Sequence, residues 1–411
     1  MERKPSVAVV FHHIGPYHHA RLNAAADRLA VTGIEWSAKG YDSWGAADSL
    51  ARYRKVSLFS DATDQHPAKA ELRRAFWSAL ERANPHVVAV NGWNNFGSLI
   101  AANCCVRLGI PMVVMSESAR QDEPRTWWKE TIKRRIVNLY SAALVGGQRH
   151  VDYLVELGMP RERIFTGYDV VDNDYFAARA LEIRNSKFEI RKKYGLPGNY
   201  FLASARFIEK KNLPMLIRGY ARYRESSLGS GQNSEVSVRK SPWDLVLLGD
   251  GPLKAVLCRL ISDLGLHGHV HLPGFVQYRD LPVYYALADV FVHASTTEQW
   301  GLVVNEAVAT GLPIIVSNRC GCVPDLVSEG KNGFTFDPGP AKGLSKLMLD
   351  MWRLSKEHRE EMGRESRRII AGFTPADFAR GAQSAIAAAK AAPIRRTSLF
   401  SSLLLRALIR R

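Results

Sequence analysis

One stretch of the chain, TTEQWGLVVNEAVATGLPIIVS from Thr296 to Ser317, keeps two carboxylates, Glu298 and Glu306, eight positions apart in an otherwise apolar run. From Leu302 the apolar spacing suits a helix that Gly311 and Pro313 stop, with Ile314 to Val316 following as a short buried strand. Glu306 then falls mid-helix and Glu298 in the loop before it. Gly301 lets that loop turn tightly, so the helix opens with unpaired backbone N–H groups beside Glu298, a construction suited to a diphosphate flanked by hydroxyls. The alternative is a solvated Glu298 and a Glu306 on the outer face of the helix, and spacing alone does not choose between them.

Cations with matching chemistry stand upstream, in ASARFIEKKNLPMLIRGY. Arg206 falls at the end of a strand and Lys211 five residues on, just before a helix. Such a pair fits a diphosphate, the guanidinium as a bidentate fork and the ammonium as a point charge. In LVLLGDGPLKAVL a strand ends at Gly249-Asp250-Gly251-Pro252, which suits close backbone approach to a ligand. In HVHLPGFVQYRDLPVYYALADVFVHAS a strand and a Gly274 turn precede Phe275 and Val276.

Short apolar runs alternate with amphipathic stretches twice over, and these elements must position the charged groups. SVAVVF, IEWSA, KVSLF, HVVAV, PMVVMS and AALVG read as strands of a first half, with helices such as His18 to Ala30 and Asn95 to Gly109 between them. YFLASA, WDLVLLG, HVHLPG, DVFVHAS and PIIVS read as strands of a second. Strands buried on both faces and spaced by helices predict an α/β protein of two doubly wound, Rossmann-like domains with a ligand cleft between them. The expected divisions are 1–190, 191–375 and a C-terminal helix and tail over 376–411, with the linker near residues 172 to 196. Ser226 to Ser241, rich in Ser and Gly, reads as a surface insertion.

The 411 residues are 46% hydrophobic and 23% charged, which is ordinary for a globular chain of more than one domain, and the formal charge of +16 favours anionic partners. Five cysteines without zinc-like spacing suit a reduced cytoplasmic setting. The opening MERKPSVAVVFHHIG has too short an apolar run for a signal and reads as the first strand. No segment approaches the ~20 apolar residues of a spanning helix, so any membrane attachment is expected to be peripheral, on the inner face of the plasma membrane.

Taken in order, ARFIEKKN, LLGDGP, GFV with DLPVYYALADVFVHAS, TTEQWGLVVNEAVATGLPIIVS and DLVSEGKNGFTFDP resemble the retaining GT-B glycosyltransferases of family four, the glycosyl transferases group 1 type, over residues 201 to 338. That resemblance implies a GT-B fold and transfer of a sugar from a nucleotide donor, a UDP- or GDP-sugar foremost, to a glycan or lipid-linked acceptor in surface polysaccharide biosynthesis. It implies that Arg206 and Lys211 bind the diphosphate, Glu306 the ribose hydroxyls and Glu298 the hydroxyls of the transferred sugar. Backbone N–H groups around Trp300, Gly301 and Leu302 would hold sugar and phosphate, and Phe275 and Val276 would flank the base. Gly15, in VVFHHIGPYHHARL, stands where the family places a glycine loop near the donor phosphates, with His18 and His19 as acceptor-side candidates. The implied mechanism is front-side attack, with the leaving phosphate oxygen taking the acceptor's proton.

Two departures bear on the chemistry. After PMVVM the family usually presents a histidine, and here Glu117 stands in its place. A carboxylate there can accept from a sugar hydroxyl or stabilise positive charge at the anomeric carbon, but it donates only if its pKa is raised. The run DVVDNDYF contains Asp172-Asn173-Asp174, like the metal-binding motif of the other major glycosyltransferase fold, yet its position after IFTGY fits the present family's own linker. No cofactor and no required metal are therefore expected, and the cluster His12, His13, His18 and His19 lacks the carboxylate or cysteine that would firm up a metal site.

PRTWWKETIKRRIVNLY (Pro124 to Tyr140) places Trp128, Ile132, Ile136 and Leu139 on one helical face among basic residues. SLFSSLLLRALIRR (Ser398 to Arg411) places Phe400, Leu403, Leu404, Ala407 and Leu408 on one face, Ser402, Arg406 and Arg410 on another, with little core left to cover. Both suit an anionic membrane interface; core packing is the alternative for each. Other readings of the chain are a sugar-nucleotide epimerase, which needs paired acid and base groups across a cleft, and a non-catalytic nucleotide-sugar-binding, membrane-associated protein. Nucleic-acid binding has charge in its favour but no motif.

Overall fold

The computed structural model describes residues 4–37, 51–59, 67–229, 241–392 and 399–410; most of the Ser226 to Ser241 insertion lies outside them. The chain divides into two units, one of Met1–Asp172 with Phe373–Arg411 and the other of Asn173–Gly372.

The first unit is built on a parallel sheet of β1 (Ser6–Phe11), β2 (Ala30–Glu35), β3 (Arg54–Ser57), β4 (Val87–Asn91), β5 (Met112–Ser116), β6 (Ala142–Val145) and β7 (Ile164–Thr166), in the order β3-β2-β1-β4-β5-β6-β7. Alternate residues of one strand feed opposite cores. Ala8 and Val10 join Val88, Val90 and Val114 on one face, while Val7, Val9 and Phe11 join Ala89, Val113 and Met115 on the other. Burial on both faces explains why these strands read as continuous apolar runs.

Helix ends follow local chemistry. Asn95 caps Phe96–Leu108 by accepting from Ser98 N–H at 2.8 Å. Thr374 and Asp377 form a reciprocal capping box around Pro375 at the start of Pro375–Ala391, which packs on the Pro16–Ala25 helix and on β6 and β7.

The second unit has six parallel strands, β8 (Tyr200–Ser204), β9 (Asp244–Leu248), β10 (Val270–Gly274), β11 (Val290–His293), β12 (Ile314–Ser317) and β13 (Gly333–Phe336), in the order β10-β9-β8-β11-β12-β13. The strand order reverses between β8 and β11, and in such sheets the carboxyl edge at that reversal is where ligands bind.

Several sequence expectations shift. The second strand starts at Ala30, because all of β1 pairs with Ala30–Glu35 from Ser6↔Ala30 to Phe11↔Glu35. Two edge strands, β7 and β13, had no place in the sequence reading; IFT and GFTF are too short and too mixed in polarity to carry a strand pattern. Residues 173–190 sit with the second unit, because the Asn173–Asn185 helix packs on Leu281–Leu287 and Leu302–Thr310.

The C-terminal segment has core to cover after all. Its helix, Leu399–Arg410, packs on Phe96–Leu108, burying Leu405 with Leu408 and Ile409 against the core, while Leu403 stays exposed. The side chains of Phe400, Ser402 and Arg410 lie outside the described residues. The Trp127–Val137 helix divides its apolar stripe: Ile132, Ile136 and the following Leu139 pack on the core, whereas Trp127 and Trp128 are 82% and 45% exposed.

Candidate functional site

At the carboxyl edge of the second sheet, β11 delivers His293 and, two residues later on the same face, Ser295. Both meet Glu298. The His293 Nε2 lies 3.1 Å from Glu298 Oε2, the Ser295 hydroxyl donates to that oxygen at 3.2 Å, and the Lys211 ammonium pairs with it. Lys211 comes from the single turn Glu209–Lys211 that follows β8. All three contacts end on Oε2, so Oε1 of Glu298 carries no hydrogen bond among the described residues.

Burial of Glu298 opposes its ionisation. The contact with His293 and the charge of Lys211 outweigh burial and hold the carboxyl well below the ordinary range. For His293, burial and the Lys211 ammonium lower the pKa against the pull of Glu298. With its pKa lowered, His293 is neutral near pH 7. The neutral form is the consistent one, because an imidazolium would be enclosed beside an ammonium; His293 then serves as an Nε2–H donor.

Gly301, at φ +107°, forms the turn that places Glu298 beside the start of the Leu302–Thr310 helix, whose first turn no side chain caps. Trp300 is buried with its Nε1–H donating to Asn305 at 2.8 Å, and Glu298 and Trp300 carbonyls accept from Gly321 and Cys322 N–H. The loop is therefore held rigidly with Leu302 as the first residue of the helix.

Glu306 is not on the outer face of its helix. It is 1% exposed, and burial together with the Glu306 charge raises the pKa of the buried Tyr285 hydroxyl, which places that carboxylate near Tyr285. The exposed Arg206 stands on the loop that follows β8.

Gly249 and Gly251 do structural work for that loop. At φ +126° and +152°, Cβ atoms would fall 1.8 Å from the Ala205 carbonyl oxygen and 2.8 Å from that of Phe207. Only glycine lets the turn after β9 lie against residues 205–207, where Phe207 N–H donates to Asp250 O at 2.8 Å. Phe275 and Val276 follow the carboxyl end of neighbouring β10, Phe275 half-exposed.

In the first unit, Gly15 caps the Pro16–Ala25 helix, and its N–H donates to His18 Nδ1 at 3.2 Å. Burial, with Arg21 and His13 nearby, pushes His18 down to about 3, so it is a neutral capping acceptor. His19 is held between Tyr53 and Asn23, His12 against Trp36 and His13 near Glu35. Among the described residues, no group of three or more His, Cys, Asp or Glu could hold a metal ion. Asn173, at the centre of the Asp-Asn-Asp run, donates to the Ile370 carbonyl at 3.0 Å.

Glu117, just past β5, is half-buried, and its charge acts on the fully buried Asp169. Burial and the Glu117 charge raise Asp169 well above the usual range, although Arg21 stands 3.8 Å away. Two neighbouring carboxyls share a proton more readily than both ionise. Arg21 itself is buried, donates to Val170 O at 3.0 Å and lies over Tyr168.

Sequence reasoning missed His293, Ser295, Tyr285, Arg21 and Asp169. A histidine and a serine two residues apart at a strand's carboxyl end were a readable signal; Arg21 and Asp169, 148 positions apart, offered none.

Residues 186–369 match the model of the family described as glycosyl transferases group 1. The alpha-monoglucosyldiacylglycerol synthase of Acholeplasma laidlawii is 34% identical over 151 residues, covering 36% of this chain and 34% of that protein. The GDP-mannose-dependent alpha-(1-6)-phosphatidylinositol monomannoside mannosyltransferase of Mycolicibacterium smegmatis is 31% identical over 189 residues, or 44% of this chain and 45% of that one. The chain thus spans under half the length of these curated relatives. Among solved structures, Anabaena HepE in complex with UDP and glucose aligns with a TM-score of 0.68 at 17% identity, covering 92% of this chain and 97% of that one. Sucrose-phosphate synthase from Thermosynechococcus elongatus aligns with a TM-score of 0.68 at 18% identity and the same coverage. These likenesses establish the fold, two Rossmann-like units of the GT-B type.

Proposed function

Residues 186–369 match the model of the glycosyl transferases group 1 family, and from that premise we propose that the chain is a retaining, metal-independent glycosyltransferase that uses a nucleotide-sugar donor. The observation that carries the reading is the divided coordination of Glu298. One carboxylate oxygen is tied by Lys211, His293 and Ser295, which fixes the other, Oε1, as a rigid acceptor for sugar hydroxyls beside an uncapped helix N-terminus.

In this reading Arg206 and Lys211 bind the donor diphosphate with the first N–H groups of the Leu302 helix, Glu306 accepts from the ribose hydroxyls, and Phe275 and Val276 flank the base. The positive charge they present stabilises the departing nucleoside diphosphate, the part that a metal would otherwise play. The bond from the anomeric carbon to the β-phosphate oxygen breaks. The acceptor oxygen bonds to the same face of that carbon, and its proton passes to the leaving oxygen. Glu117, its charge felt by the buried Asp169, serves the transferred sugar as acceptor or, when protonated, as donor.

The alpha-monoglucosyldiacylglycerol synthase and phosphatidylinositol mannoside mannosyltransferase among the relatives favour a lipid-linked or glycan acceptor for this chain, in surface glycolipid or polysaccharide assembly, and the HepE complex favours a UDP-sugar, with a GDP-sugar the next choice. Among the described residues no helix is long and apolar enough to cross a membrane. Trp127 and Trp128, exposed beside Lys129, suit peripheral contact with an anionic bilayer.

Purified protein is assayed for nucleotide release and sugar transfer across UDP-, GDP- and ADP-sugars, with and without EDTA. Transfer that resists EDTA and is lost in Arg206→Ala and Glu298→Ala supports the proposal. Isomerisation of the sugar without nucleotide release, or binding with no turnover under any donor and acceptor, would overturn it.

A further inference from the structure

A second concave site lies in the same unit at the opposite edge of the sheet. Asp289 and Pro313, directly before β11 and β12, help line a pocket of about 460 Å³ that the Asn173–Asn185, Lys187–Tyr194 and Lys356–Ile370 helices also border. Glu298 and Lys211 stand at the carboxyl edge, so this pocket is separate from the donor site described above.

Its charge is one-sided. Six cations, Arg184, Lys187, Lys356, Arg359, Arg364 and Arg367, face two carboxylates, Asp289 and Glu360. Both carboxylates are engaged, Asp289 by Arg359 at 3.7 Å and Glu360 by Lys356 at 3.6 Å, and Arg364 pairs with Glu361. Arg184, Lys187 and Arg367 form no ion pair among the described residues.

Two of these cations are fixed in place, whereas Lys187, Lys356 and Arg364 are exposed side chains. Arg184 is pinned across the ends of two helices, its Nε–H donating to Ala286 O at 3.0 Å and its Nη2–H to Thr310 O at 3.1 Å. The Arg367 guanidinium lies over Gly311 so closely that a Cβ there would come within 1.8 Å of it. Burial, together with the like charge of Arg367, lowers the pKa of Arg184. A fold that fixes like charges around a hollow keeps them apart from their natural counter-ions, and an anion entering the hollow relieves the repulsion.

We propose that this pocket is a second anion site, which takes a small soluble ligand bearing two or more phosphate charges. Forked guanidiniums and ammonium groups on three sides match a diphosphate or bisphosphate, and the volume holds such a ligand with room for water. A singly charged anion would leave most of the excess charge unmatched.

The test is isothermal titration of the full chain with inorganic pyrophosphate at fixed ionic strength. The double variant R206A/K211A removes the donor diphosphate contacts, and K187Q/R367Q removes two pocket cations whose side chains form no hydrogen bond or ion pair among the described residues. The expected result is one bound pyrophosphate in R206A/K211A, weakened at least tenfold when K187Q/R367Q is added. K187Q/R367Q alone should keep its affinity for a nucleoside diphosphate and its melting temperature. No pyrophosphate binding by R206A/K211A, or binding unchanged by K187Q/R367Q, overturns the second site while leaving the donor site to be judged by the nucleoside diphosphate. Dependence on Lys187 and Arg367 only for binding anionic phosphatidylglycerol vesicles, without pyrophosphate, overturns the soluble ligand.

Discussion

Replacing Glu298 by Gln and Lys211 by Met, singly and together, measures how firmly the knot at the end of β8 and β11 is tied. Glu298 Oε2 receives three contacts, from Lys211, His293 and Ser295, in a setting that leaves the glutamate 9% exposed. Bonds to a charged group contribute about 1.5–3 kcal/mol each and neutral ones about 0.5–1.5 kcal/mol, so Glu298→Gln should cost roughly 3 kcal/mol. Lys211→Met removes the strongest of the three and leaves the carboxylate with two, at a cost of about 2–3 kcal/mol. Because each single change strands the other partner, the double variant should cost about 1.5–3 kcal/mol less than the sum. Urea unfolding followed by tryptophan fluorescence reads all four proteins. The pH dependence has a definite sign: Glu298 is depressed in the folded state, so its contribution is present above its unfolded value of about 4.3 and is lost as pH falls through the lower folded value. The coupling should therefore be flat from pH 6 to 9 and shrink only in acid. Additive single effects, or a coupling that vanishes between pH 6 and 8, would refute the account of a charged Glu298 held by Lys211.

Gly249→Ala forces a Cβ into the Ala205 carbonyl at a positive φ, so it should cost on the order of 3 kcal/mol and weaken donor affinity by moving the Arg206 loop, read by titration with UDP-glucose and GDP-mannose. Asp169→Asn should lose less stability relative to wild type at pH 9 than at pH 5: a raised folded pKa gives stability that is full below the unfolded value of about 3.9 and declines as pH rises, and the amide removes that decline. Leu405→Ala should lower stability by about 2–3 kcal/mol in thermal unfolding, because Leu405 is fully packed. Trp127→Ala with Trp128→Ala should reduce cosedimentation with anionic vesicles several-fold and leave the melting temperature unchanged, since both indoles are exposed.

The sequence made legible what is local. The helix over Leu302–Thr310, its Gly311 stop and the β12 strand follow from residue spacing within about twenty positions, and the central strands follow from runs buried on both faces. Ordered motifs singled out Arg206, Lys211, Glu298 and Glu306, but not which of them would meet. Glu298 bonds Lys211 across 87 positions, and the choice of Oε2 over Oε1 depends on His293 and Ser295 arriving from a third element. Two segments stayed open between protein and lipid for one cause. The tail helix and the Trp127–Val137 helix both show an apolar stripe flanked by arginines, and a stripe does not say whether protein or lipid covers it; packing on Phe96–Leu108 settles this for Leu405, while Trp127 stays exposed.

The two anion sites proposed for the second unit use opposite ends of one nine-residue helix. At Leu302 the helix offers unpaired N–H groups beside Glu298; at Thr310 it ends in a carbonyl that accepts from Arg184. A helix carries partial positive charge at its first turn and partial negative charge at its last, so a cation at Thr310 and an anion at Leu302 both stabilise it. Arg184 is for this reason the wrong residue with which to test the second pocket. Its removal would loosen the C-terminal ends of the Leu281–Leu287 and Leu302–Thr310 helices and could weaken donor binding through the latter, whatever the pocket holds. Lys187 and Arg367 make no such hydrogen bond to either helix, so a loss of pyrophosphate binding in their absence at an unchanged melting temperature reports on charge in the pocket.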